Sequence, residues 1–518
     1  MTKPPFRIAA LLLLSALLAT NFYRAATQSI VHDEALSWQF YLSGPVSAIF
    51  QTYTANNHFL ATVLFRLSIT LFGDSEFAMR LPTVLAGAWF FWTVFQLCGL
   101  IFGDGWLFLA ACAALTLNPI LLDFLVAARG YGLAMAGLFW ALFQMLAWLH
   151  ERQHGAGAGM LRKRLWKAAL GCATAVAANL TMLMPVFLLA TAFCVLLLKK
   201  PEAGASQDSP PHATARKKGK KAKPETAREP ARSYASFLQF VVPVGLLAIA
   251  FLLASPIDLA RGEDLYTGTT TAIQSLRSLI DVSFAYGDGP GVMQRIERIS
   301  SDMAIVFLPV VTLAALIVAA MATRLARSPV AVATLFSSLA IAGSAVLLAA
   351  SHLLSGIPYP EDRTGIYFVP LATLAALGLA RILAGRPGFP HWIGVAVALV
   401  LASFAVEFAA QWNVKSFWVW RYDADTKRIF EALEAAPKPP GQVDGQVRLG
   451  VSWVFEPALN YYREVRKAAW MAPALRDGFD GARQFYVVSA ADRNTAALPK
   501  LTPIYRGPVS GAELAIPQ

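Results

Sequence analysis

Unbroken apolar runs recur along almost the whole chain, from residues 8–22 to residues 392–408, and several exceed fifteen residues. A bilayer asks for about twenty apolar residues per helical crossing, whereas a soluble core has no use for so many in series. The composition agrees, at 56% hydrophobic and 15% charged residues. These runs predict an α-helical polytopic membrane protein. The net charge of +12 would also suit nucleic acid. Its cations, however, concentrate in loops between apolar runs, which is the positive-inside pattern of membrane topology. No nucleic-acid partner is expected. Cys98, Cys112, Cys172 and Cys194 all lie in apolar segments and read as packing residues, without a disulfide or zinc framework.

Lys3 and Arg7 precede the first run, which places the N-terminus in the cytoplasm. That run is also short enough for a signal peptide cleaved near Ala25-Ala26, and the downstream orientation is the same in either case. Residues 58–72 are too short to cross. Thr62, Arg66 and Thr70 form a polar stripe opposite Leu60, Leu64, Leu67 and Leu71, so an amphipathic helix lying in the interface is expected. With that segment uncrossed, runs at 81–101, 107–122 and 132–149 deliver Arg152, Arg162, Lys163 and Arg164 to the inner side. Residues 166–198 form a hairpin broken at Asn179 and Pro185. Crossings at 237–254, 303–321, 330–350, 366–383 and 392–408 follow, giving about eleven spans. Residues 199–236, rich in Lys, Arg, Pro, Ala and Glu, read as a disordered cytoplasmic loop that meets anionic lipid. The expected division is a transmembrane domain at 1–410 and a small soluble α/β domain at 411–518 on the outer face. In the latter, helices are predicted at 425–435 and 457–467, with strands at 447–453, 485–489 and 501–505.

This topology collects ionisable residues at one interface. His32, Asp33 and Glu34 lie on the first outer loop, with Asn56, Asn57 and His58 at its far end. Asp123, Arg129 and Tyr131 lie at the next outer turn, and Glu361, Asp362 and Arg363 on a later one. Ionisable residues beside a bilayer are costly and read first as functional. A transporter or lipid flippase, the alternative function, would hold such groups near the midplane. The structural alternatives are local. Asp33 and Glu34 could cap a helix start, and Arg80 could snorkel as a topology anchor. Asp123 could pair with Arg129, and Arg363 with Glu361 or Asp362. Arg129 could anchor an interface, and Tyr131 could belong to an aromatic belt.

The Asp33-Glu34-Ala35 triplet, the Asn57-His58 helix start, LFGDSEFAMRLPTVLAG (71–87), ARGYGLAM (128–135) and EDRTGIYFVPL (361–371) occur in this order. Together they resemble the GT-C superfamily of membrane glycosyltransferases, closest to the branch of protein O-mannosyltransferases and lipid A aminoarabinose transferase. The likeness covers roughly residues 5–410, and Phe59 stands where many relatives have proline. It implies an inverting glycosyltransferase of the bacterial inner membrane, moving a hexosyl or pentosyl group from a polyprenyl-phosphate donor to a lipid, glycan or protein acceptor. Asp33 matches the family base, which takes the acceptor hydroxyl proton. Glu34 would support it, and Asp123 falls near a second family acid. Arg363 and Arg129 are candidates for the donor phosphate, because guanidinium forks stabilise growing phosphate charge. Asn57, His58 and Tyr131 are candidate substrate contacts. No cofactor is required by this reading. A divalent metal is open, with His32, Asp33 and His58 as candidate ligands.

Overall fold

The structure is a computed structural model that describes residues 5–198, 228–259, 268–284, 291–325, 328–385, 391–437, 446–479, 483–495 and 498–518. The chain opens with helix α1 (Pro5–Thr27), followed by the short α2 (His32–Ser37), a π-helical turn, α3 (Ala48–Gln51) and α4 (Phe59–Phe72). Then come α5 (Glu76–Phe102), α6 (Trp106–Thr116), α7 (Pro119–Phe124), α8 (Gly130–Gln153), α9 (Ala158–Ala178) and α10 (Leu183–Leu198). The second half of the bundle contains α11 (Arg228–Ala254), α12 (Ala272–Phe284), α13 (Gly291–Leu325), α14 (Pro329–Ser355), α15 (Phe368–Ala384) and α16 (His391–Ala410).

Nine helical stretches among the described residues are long and apolar enough to cross a membrane: α1, α5, α8, α10, α11, α13, α14, α15 and α16, two of them counted with their leading turns. The other two expected spans differ for identifiable reasons. The run at 107–122 is split, because Asn118 caps a new helix through a bond from Leu121 N at 3.2 Å and Pro119 opens it. Helix α9 carries Arg162, Lys163, Arg164 and Lys167 in its first half. It crosses α8 closely: a Cβ on Gly137 would meet Gly171 O at 2.9 Å, and one on Gly171 would meet Gly137 O at 2.9 Å. Small residues let two membrane helices approach in this way.

Helix α4, at 14 residues, buries Thr62, Phe65 and Ile69 and exposes Leu67, Leu71 and Phe72. The basic segment 199–236 lies outside the described residues up to 227. From Arg228 the chain is already helical, so the expected loop runs too far. The expected outer loop at 255–301 likewise contains α12 and the start of α13.

The C-terminal part has α17 (Thr426–Ala435), β1 (Leu449–Val451), α18 (Glu456–Val465), β2 (Phe485–Val488), β3 (Leu501–Arg506) and β4 (Glu513–Pro517). The strands form one sheet in the order β1-β2-β4-β3, parallel between β1 and β2 and antiparallel elsewhere. β4 was not predicted. This part does not keep a core to itself. Ile429, Phe430, Leu459 and Tyr462 share one apolar cluster with Ile30, Ala35, Trp38, Phe65 and Met79 of the first half. Phe417 and Trp420 belong to the core of the helical bundle. The first loop is therefore clamped between the bundle and the sheet domain.

Candidate active site

Glu34 and Asp33 are adjacent in sequence but face opposite environments. Glu34 turns inward, fully buried. Its Oε1 accepts from Arg80 Nε (2.9 Å) and Ala128 N (2.6 Å). Its Oε2 accepts from Arg80 Nη2 (2.6 Å) and Val31 N (3.1 Å), the latter closing the cap of α2. Arg80 is also fully buried. Beyond Glu34 it donates to Gln28 O (2.8 Å), Ser29 O (2.6 Å) and Ala25 O (3.4 Å), the carbonyls left open at the end of α1. The snorkelling role expected for Arg80 is thus replaced by that of a buried clasp joining α1, α2 and α5.

Asp33 turns the other way. Its side chain is 13% exposed, with Oδ2 at 3.0 Å from Arg363 Nη2 and 3.6 Å from Arg129 Nη2. Burial alone would raise its pKa, but the two guanidiniums, His32 and a hydrogen bond from the Trp420 side chain outweigh that and hold the carboxyl below its ordinary value. Arg363 is positioned by a short turn, Asp362–Gly365, in which Asp362 takes a left-handed backbone (φ 45°) that non-glycine residues populate sparsely. Ser278 of α12 accepts the Asp362 N–H at 3.1 Å, and the Arg363 guanidinium lies 5.5 Å over the Trp420 ring. Arg363 pairs with Asp33, and among the described residues it forms no ion pair to Glu361 or Asp362.

Arg129 sits at the N-terminal boundary of α8 and donates to Asn56 Oδ1 (2.6 Å) and Ser37 Oγ (3.2 Å). Its neighbour must be glycine: a Cβ on Gly130 would stand 2.0 Å from Ala178 O and 2.7 Å from His58 Cβ. That close approach seats His58 beside Tyr131, ring centroids 5.3 Å apart. The His58 Nε2 is buried without a hydrogen-bond partner. Burial first, then Arg129 and Arg363, hold His58 well below the usual histidine range, so it is neutral. Asn57 is committed to loop carbonyls at Thr52 (3.0 Å) and Ile49 (3.1 Å). Its amide shapes the loop.

Asp123 pairs with Arg24 at the end of α1, and its Oδ2 accepts from Trp418 N at 2.7 Å. The expected partner Arg129 is bound to Asp33 instead. Asp123 is 1% exposed and fastens the 416–420 segment to the bundle, where Phe417 lies between Arg24 (4.8 Å) and Arg80 (5.1 Å). His32 is held by the C-terminal part: its N donates to Asp423 Oδ2 (2.7 Å), and its Nδ1 lies 2.8 Å from Val454 O. Tyr462 donates to Glu76 Oε1 (3.0 Å) and accepts from Ile30 N (2.9 Å).

The sequence-predicted residues therefore separate into two sets. Asp33, Arg363, Arg129, His58 and Tyr131 converge, whereas Glu34, Asp123 and Asn57 are engaged in holding the surrounding chain. Arg24, Trp420, Tyr422 and Asp423 were missed; the tryptophans of WNVKSFWVWRYDAD (412–425), directly after the last span, were the available signal. Among the described residues no three His, Cys, Asp or Glu side chains group as a metal set. His32, Asp33 and His58 do not fit a divalent ion: His32 Nδ1 is turned to a carbonyl and Asp33 is neutralised by two arginines.

A cavity of about 350 Å³ opens between α12, α13, α14 and α15, lined by apolar side chains including Leu276, Leu308, Ile341 and Val369. Tyr359 and Pro360, on the loop that leads into the Arg363 turn, close one end of it.

No protein-family model matches the chain, and no curated protein matches its sequence. Solved structures do. ArnT from Cupriavidus metallidurans in the apo state aligns over 98% of this chain and 97% of its own at 14% identity, TM-score 0.47. The archaeal oligosaccharyltransferase AglB from Archaeoglobus fulgidus aligns over 93% and 69% at 11% identity, TM-score 0.41. The arabinosyltransferase EmbB from Mycobacterium smegmatis aligns over 98% and 46% at 10% identity, TM-score 0.40. The chain is similar to these solved structures over most of its own length.

Proposed function

We propose that the chain transfers a hexosyl or pentosyl group from a polyprenyl-phosphate donor to a hydroxyl of a lipid, glycan or protein acceptor, with inversion at the anomeric carbon. One observation carries this reading: a partly exposed carboxylate, Asp33, lies between two guanidiniums at one end of a bundle of apolar helices. The acceptor oxygen bonds to the anomeric carbon as the bond from that carbon to the phosphate oxygen breaks. Asp33 accepts the hydroxyl proton, and the electron pair leaves on the lipid phosphate. Arg363 and Arg129 meet the growing phosphate charge with fixed donors. The apolar cavity beside the Arg363 turn suits the tail nearest the phosphate. His58 and Tyr131 line the same end. The bundle, residues 1–410, supplies the reacting groups, and residues 411–518 hold His32 and Arg363 in place. The placement is the bacterial inner membrane, with the N-terminus cytoplasmic and the C-terminal domain periplasmic.

The test is reconstitution of the purified protein with a polyprenyl-phosphate sugar or the corresponding nucleotide sugar. Consumption of the lipid-linked donor alone supports the reading. Robust transfer from the nucleotide sugar, or movement of lipid without a new glycosidic bond, overturns it.

A further inference from the structure

Three helices that reach the Asp33 end of the bundle have a second polar construction at their other ends. Helix α1 runs from Arg7 to Arg24, α5 from Arg80 to Gly99, and α8 from Gly130 past His150. The far ends, with the start of α9, enclose a cavity of about 240 Å³ lined by Arg7, Gln96, Gly99, His150, Glu151 and Arg164, with Phe95, Leu100 and Phe143 on its apolar side.

The hydrogen-bond inventory of this cavity is unbalanced. Glu151, its one acidic lining residue, is occupied by Arg164, whose Nε lies 3.1 Å from both carboxylate oxygens and Nη2 2.6 Å from Oε1. Gln144 behind it gives its Oε1 to Arg164 Nη1 at 2.9 Å, leaving a fully buried Nε2 with no partner. Arg7 spends Nε on Asp104, while its Nη groups have no acceptor among the described residues. They reach over Gly99, where a Cβ would lie 3.7 Å from Nη2. The cavity's one carboxylate is thus already paired, while the Arg7 Nη groups and the Gln144 Nε2 are not. Such open donors, one of them buried, favour an acceptor-rich guest.

We propose that this cavity binds the phosphodiester headgroup of an anionic phospholipid, with the acyl chains leaving past Phe95, Leu100 and Phe143. Phosphate oxygens match the open Nη pair of Arg7, while Arg164, held by Glu151 and Gln144, forms part of the cavity wall. Basic pockets between helix ends at a membrane surface take such headgroups. Lys163 adds positive charge on the same first half of α9. The site does not depend on the transferase reading.

Native mass spectrometry of the full chain, with phosphatidylglycerol, phosphatidylcholine and inorganic phosphate as separate probes, tests the proposal. One tightly held phosphatidylglycerol per chain is expected. Its affinity should fall at least about tenfold in Arg7→Ala, which removes the free fork, and in Gly99→Leu, which fills the cavity without changing charge. Lys167→Ala should leave it unchanged. Equal binding of phosphatidylcholine, affinity unaffected by Arg7→Ala and Gly99→Leu, or a response to inorganic phosphate alone overturns the lipid assignment.

Discussion

Substituting Glu34 by glutamine separates a structural from a chemical role for the second acid of the Asp33-Glu34 pair. Four donors converge on its two oxygens: Arg80 Nε and Ala128 N on one, Arg80 Nη2 and Val31 N on the other. An amide satisfies only one of these pairs. Whichever way it turns, its NH2 group faces two N–H donors, and Arg80 keeps a buried charge without a counter-ion. Removing one partner of a buried ion pair costs about 3–5 kcal/mol. At about 1.4 kcal/mol per decade, the folded fraction loses roughly two to three and a half powers of ten. Replacing both residues by leucine does not restore stability, because Ala25, Gln28 and Ser29 then lose the donors that close α1. The assay is the melting temperature of detergent-purified protein, paired with turnover per folded molecule. Glu34→Gln should melt much lower, while the surviving folded molecules keep most of their turnover. Wild-type stability with lost turnover would refute this argument and return Glu34 to the chemistry.

Two further substitutions address the open centre. Asp33→Asn should lower transfer about 10²–10⁴-fold, the range for loss of a general base. Donor affinity should not weaken, since both arginines are released towards the phosphate; a near-normal transfer rate in rapid-mix assays sinks the assignment. Arg363→Lys keeps charge but loses the planar fork. It should slow kcat more than it lowers the melting temperature, and the reverse order would show Arg363 to be a structural clamp.

The helical architecture was legible because apolar runs of membrane length have few alternatives, and cation placement orders them. Asp33 was legible from its position after the first span. What the sequence hid is pairing across long separations. Arg80 meets Glu34 across 46 positions, Arg24 meets Asp123 across 99, and Arg363 meets Asp33 across 330. No local period encodes such contacts, so Arg80 read as an interface anchor and Asp123 as a second acid or a partner of Arg129. The contacts of the C-terminal part were hidden for a related reason. Its short strands and helices read as a small soluble α/β domain. Yet Phe430, Leu459 and Tyr462 bury against the first loop, and Trp418 N and Asp423 reach past the sheet to Asp123 and His32.

In the proposed transfer, the two arginines that would meet the phosphate also disarm the base, and this conflict would set the pH behaviour. In the free protein Arg129 and Arg363 overcome the cost of burial and hold Asp33 below its ordinary value. The sign follows for stability. An Asp33 lowered on folding contributes stability that is present above the unfolded carboxyl value and lost as pH falls through the folded one. Ionised but weakly basic, Asp33 is then a poor proton acceptor. A donor phosphate seated on both guanidiniums changes each electrostatic contribution in the same direction. It takes over part of the positive charge and adds a negative one close by, so the carboxyl of the donor complex must titrate higher than that of the free protein. The acid limb of kcat/KM reports the free state and that of kcat the donor complex. The kcat limb should therefore lie at higher pH, and Arg129→Gln should narrow the gap by raising the free-state limb. Coincident limbs, or a kcat limb at lower pH, would mean that the phosphate does not sit on these arginines.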